Sequence, residues 1–67
     1  MDKLDVKRLG NQAAVEAAKR SGVSLTSIRS VLYADIAAAY QTAVNHEGVA
    51  PGFLKAWISG WRNGYGN

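Results

Sequence analysis

A chain of 67 residues with no cysteine and one histidine has to hold itself together by packing alone. No disulfide can staple it, and no thiolate or histidine cluster can nucleate it around a metal. A domain this short buries only about 60 % of the surface its unfolded chain exposes, so its core is marginal. It needs efficient helix packing or a second copy of itself, and a homodimer is the expectation. Neither a metal nor a cofactor is expected, and most enzymes need a longer chain to bury a substrate pocket. Hydrophobic residues make up 48 % and charged residues 19 %, which places the chain among globular domains, not disordered tails.

Eleven alanines and a single proline favour helix nearly throughout, and no segment sustains the alternation of a strand. The expected architecture is an all-α bundle of three to four helices in one domain, 1–67. Asp2 is a fair N-cap for a first helix over 3–9, with Gly10 as its stop. Asn11 then caps a second helix over 12–21, which Gly22 ends by supplying a positive φ. Ser24 caps a third helix. No breaker interrupts residues 25–45, so this helix would run about 30 Å. Leu25, Ile28, Leu32, Ile36, Ala39 and Ala43 fall on one stripe of it, and Asp35 sits at the stripe's edge as an interface residue. A helix so long for its domain has to pack on a partner or break near its middle. His46 and Gly48 end it, and Pro51 opens a fourth helix over 51–62. Phe53, Leu54, Trp57, Ile58 and Trp61 share one face of that helix. Residues 63–67, with two glycines, read as a frayed tail.

Charge narrows the partners. The net charge of +3 excludes an acidic mimic of nucleic acid and leaves phosphate backbones and acidic surfaces open. The excess is uneven: residues 1–33 carry six cationic side chains against three carboxylates, and residues 34–67 carry two against two. No apolar run approaches the roughly 18 residues of a membrane span, and the charged N-terminus lacks a secretory segment. The default location is the cytoplasm. Phosphate-loop, HExxH and GxSxG motifs are absent, and the carboxylates are scattered, so an enzyme is not expected.

The stretch 14–33, AVEAAKRSGVSLTSIRSVLY, resembles the helix-turn-helix of bacterial and phage repressors. AAKRSGVSLTSIRSVL is similar to the start of lactose-repressor-family domains, and LGNQAAVEAAKRSGVS to Cro-type phage repressors. The resemblance implies a small Ala18 where two helices cross, Gly22 opening the turn, and Val23 plugging the crevice. It also implies that Ile28 and Val31 hold the second helix of the motif on the first. The function it implies is a transcriptional regulator that binds double-stranded DNA as a dimer and reads the major groove. Thr26, Ser30 and Tyr33 then reach base edges or phosphates, and Arg29 is the candidate guanine contact. Ser24 and Ser27 bind phosphate at the helix start, and Lys19 and Arg20 hold the DNA backbone. Each residue also has a plainer role. Lys19 and Arg20 suit a helix C-terminus through its dipole, and Arg29, Thr26, Ser27 and Ser30 suit a solvated face.

The alternative is a small helical adaptor or inhibitor, of the kind phages and plasmids encode, docking on a host protein. Its surface would be the long third helix or the face of Phe53, Trp57, Ile58 and Trp61. The same aromatics equally suit the chain's own core or a dimer interface. Ala56 and Gly60, four apart, allow another helix to approach that segment closely.

Overall fold

The computed structural model describes residues 1–63. Four helices follow one another: α1 (Lys3–Ser21), α2 (Leu25–Arg29), α3 (Tyr33–His46) and α4 (Leu54–Asn63). Among the described residues there is no strand, and the fold is a small all-α bundle. The expected frayed tail lies, apart from Asn63, outside the described residues.

The start of α1 is fixed by a reciprocal pair of side-chain bonds. The Asp5 amide donates to Asp2 Oδ1 at 2.9 Å, and the Asp2 amide donates to Asp5 Oδ2 at 3.2 Å. This bonding holds the Asp2 carboxyl below its ordinary value, chiefly through the Asp5 amide. The helix ends at Gly22, whose φ of 74° is left-handed and whose amide reaches the Ala18 carbonyl at 3.0 Å.

Two of the expected helices are one. Gly10 does not stop the first helix, and Asn11 does not cap a second. Both lie inside α1, and both are buried. The reason is the helix that crosses them. A Cβ on Gly10 would meet the backbone of Trp57, and a Cβ on Gly60 would meet the backbone of Lys7. The two glycines let the backbones of α1 and α4 come into direct contact. Glycine's usual penalty in a helix is roughly 1 kcal/mol, and close packing offsets it here.

The long third helix breaks, as one of its two expected outcomes required. Residues Ser30–Leu32 separate α2 from α3. No glycine or proline causes this; side chains from α4 stabilise it. Trp61 Nε1 donates to the Ile28 carbonyl at 3.0 Å, and Arg62 donates to the Val31 carbonyl at 3.3 Å. These two bonds satisfy carbonyls that a continuous helix would have paired internally. The break also rotates the buried stripe. Ile36 and Ala43 are buried as expected, but Leu32 is 72 % exposed, and Tyr40 takes its place in the core. Asp35 lies exposed in the first turn of α3.

The core gathers Val6 and Ala14 of α1, Ile36, Tyr40 and Ala43 of α3, Val49, and Ala56, Trp57, Ile58 and Trp61 of α4. Tyr40 ties the connection between α3 and α4. Its hydroxyl donates to the Ala50 carbonyl at 2.5 Å and accepts the Phe53 amide at 2.9 Å. Its ring lies 5.5 Å from that of Trp57, tilted by 56°. Pro51 therefore sits in this connection and not in the first turn of α4, which begins three residues later. His46 is the last residue of α3, with Gly48 turning the chain just beyond it at a φ of 73°.

Candidate nucleic-acid interface

Helix α2 is shaped by its cap and its neighbours, with little help from its own burial. Ser24 stands before it in extended conformation, and its hydroxyl accepts the Ser27 amide at 3.2 Å. The two serine hydroxyls also bond each other at 2.9 Å. No residue of Leu25–Arg29 is fully buried. Leu25 and Ile28 are half-buried, and Ile28 packs against the core together with Val31.

The helix-turn-helix expectations sort cleanly by position. Ala18 is buried and Gly22 adopts the required positive φ. Val23, expected to plug the crevice, is instead 46 % exposed. The apolar contacts of this region with the core are made by Ile28 and Val31 instead, with Trp61 bonded to the Ile28 carbonyl.

The structure brings most of the expected contact residues to one corner. Thr26, Ser27 and Ser30 are exposed on α2, with Ser24 at its start. Lys19 and Arg20 are exposed in the last turn of α1, the helix that leads into the same turn. Ser30 is partly engaged, since its hydroxyl donates to the Thr26 carbonyl at 3.1 Å. Arg29 is different. It is half-buried, and its Nε is enclosed, so its guanidinium is not presented wholly to solvent. Tyr33 also departs from the set. It opens α3, past the break, and faces a separate cleft with Lys3, Phe53 and Leu54.

Arg62 belongs to this corner and was not singled out by sequence reasoning. Its bond to the Val31 carbonyl places an exposed cation of α4 against the end of α2. The available signal was a basic residue in the last turn of the aromatic helix, which reads equally well as a dipole partner.

The aromatic set does not form a surface. Trp57, Ile58 and Trp61 are buried within the chain's own core, so they are not available as a docking face; only Phe53 is half-exposed. Of the two surfaces expected of an adaptor, the aromatic face is therefore spent on the chain's own core, and the long helix is divided into α2 and α3, of which α3 keeps an exposed side at Ala34, Ala38, Gln41 and Asn45.

Among the described residues, no group of three or more His, Asp or Glu side chains could hold a metal ion. No described helix is long and apolar enough to cross a membrane. Comparison with family models, with curated proteins and with solved structures finds no match to this chain.

Proposed function

We propose that the chain binds double-stranded DNA through the corner formed by the end of α1, the turn at Gly22 and α2. The observation that carries this reading is a segment of one charge sign folded into a polar corner. Residues 17–34 contain Lys19, Arg20 and Arg29 and no carboxylate. The exposed two, Lys19 and Arg20, end the helix that leads into a short helix whose exposed side chains are Thr26, Ser27 and Ser30. In a helix-turn-helix the first residues of the recognition helix meet base edges, so five residues suffice to present Thr26 and Ser27 to a major groove. Lys19, Arg20 and Arg62 flank them as phosphate contacts, which set register and affinity without reading sequence.

Salt dependence and variants test the proposal. Lys19→Gln and Arg20→Gln should each weaken duplex binding uniformly across sequences and reduce the slope of log K against log salt by about 1. Thr26→Ala should change the preference among duplexes and leave that slope unaltered. Arg29→Ala is a poor probe, because it disturbs a half-buried side chain as well as the charge. Affinity that ignores salt, or that is indifferent to Lys19 and Arg20, contradicts the proposal.

A further inference from the structure

We infer that the face around the cleft of Lys3, Tyr33, Phe53 and Leu54 is a two-fold interface between copies of this chain. Leu32 is the N-cap of α3, has extended backbone, and makes no side-chain bond to the helix it caps. Asp, Asn, Ser or Thr is preferred at such a position over Leu by about 1 kcal/mol. Leu32 thus forgoes a cap and also leaves a large apolar side chain 72 % exposed. Neither helps the isolated chain, and both are explained by a contact outside it.

Leu32 is not isolated. Tyr33 beside it is 55 % exposed and lines a cleft of about 510 Å³. Leu4, next to the cleft residue Lys3, is 44 % exposed. Met1 is 60 % exposed, and its sulfur accepts the Ala50 amide at 3.4 Å, which sets it on the connection leading to Phe53. Of the large exposed apolar side chains, Tyr33 thus lines the cleft, Leu4 and Leu32 each adjoin a lining residue in the chain, and Met1 is bonded to the connection beside it. Patches of this kind mark interaction surfaces.

Self-complementarity selects a second copy as the occupant. A two-fold contact uses one patch as both partners, so the patch must carry projections and a recess together. Tyr33 is exposed and lines a recess together with Phe53, Leu54 and Ala56, and the exposed Leu32 precedes it in the chain. The charges match in the same way. Lys3 and Lys55 line the cleft, while Asp2 and Asp35 stand one residue from Lys3 and two from Tyr33. Two-fold pairing can set the lysines of one copy against the aspartates of the other, whereas a patch of a single sign would repel itself. The area required is modest. A standard interface takes about 800 Å² from each partner, roughly a fifth of the 4197 Å² that this chain exposes. This inference does not depend on the nucleic-acid reading.

Sedimentation velocity of the full chain without DNA, from about 1 to about 100 µM, tests it. The expected result is a concentration-dependent shift from the 7.2 kDa chain to twice that mass. Leu32→Asp separates association from folding, because it supplies the missing cap. It should raise the melting temperature of the monomer by a few degrees and weaken association at least tenfold. Lys55→Glu should weaken association several-fold, less so at high salt. If Leu32→Asp fails to fold, Tyr33→Gln provides the same readout. A wild-type chain that stays monomeric throughout the range overturns the inference, as does a dimer that Leu32→Asp or Tyr33→Gln leaves intact.

Discussion

Helix α4 buries Ala56, Trp57, Ile58, Gly60 and Trp61 within ten residues, whereas α2 buries none of its five. The first touches every other helix and meets α1 backbone to backbone. The second is positioned by a serine cap and by two side chains that α4 extends to the carbonyls at its end. Stability and exposed chemistry are thus held in different places. The outer side chains of α2 can change without removing core, while the buried face of α4 has almost no freedom to vary. This division is how a domain with a marginal core can still present a polar surface.

The largest expected effect tests the tight side of this comparison. Helix propensity alone predicts that Gly60→Ala gains up to about 1 kcal/mol. The crossing predicts the opposite sign, a loss of about 3 kcal/mol, because the new Cβ would meet the Lys7 backbone, which cannot rotate away. In so small a domain that loss lowers the melting temperature by roughly 12 °C or more. Calorimetry of Gly60→Ala and Gly10→Ala reads the sign directly, and a gain in stability would remove the crossing from the account.

The next comparison lies within α4. Both tryptophans are buried, but Trp61 donates to the Ile28 carbonyl, whereas Trp57 Nε1 is enclosed with no hydrogen-bond partner among the described residues. Trp61→Phe should therefore cost about 1–2 kcal/mol more than Trp57→Phe in denaturant unfolding. Equal costs would mean that the Trp61 bond does not hold the break between α2 and α3.

A smaller effect should appear on the exposed side. Ser24→Ala removes the cap of α2, a change of about 1 kcal/mol that falls on a helix with no buried residue. Faster amide exchange confined to residues 25–29, with the exchange of α4 unchanged, is the expected pattern. Uniformly faster exchange would show that α2 and the core open as one unit.

The smallest effect concerns acid. The Asp2 carboxyl, exposed and held below its ordinary 3.8 by the Asp5 amide, is lower in the folded state than in the unfolded one. Its stabilisation is present above the unfolded value and is lost as pH falls through the folded one. NMR should show the first turn of α1 fraying below about pH 4, with the crossing at Gly10 unaffected.

The sequence made the local signals legible. Asp2 and Ser24 as caps, Gly22 as a left-handed terminator, and the apolar face of α4 all depend on residues within a turn of one another, and each is found in place. What the sequence did not disclose depends on contacts between distant residues. Gly10 carries the same local signal whether it ends a helix or admits another, and only Gly60 on the opposing helix distinguishes them. The break at Ser30–Leu32 carries no glycine or proline to mark it, and Trp61 and Arg62, some thirty residues away, bond the Ile28 and Val31 carbonyls there. Tyr40 was missed for the same reason. At 100° per residue it lies about 40° beyond Ile36, outside a stripe drawn from Leu25 but inside one centred on Ile36, Tyr40 and Ala43. Of the candidate interface, the exposed positions Lys19, Arg20, Thr26, Ser27 and Ser30 were legible, while the partial burial of Arg29 and the arrival of Arg62 were set by packing.

The separation of a rigid crossing from an exposed polar corner has its most direct test in a duplex titration. Fluorescence anisotropy of a labelled mixed-sequence duplex would be followed at low and near-physiological salt, with wild type, Lys19→Gln and Thr26→Ala. Micromolar binding at low salt that weakens steeply as salt rises, with a shallower salt slope for Lys19→Gln and unchanged melting temperatures, is the predicted result. No binding at low salt, or binding that Lys19→Gln leaves unaltered, would contradict the assignment of this corner to DNA.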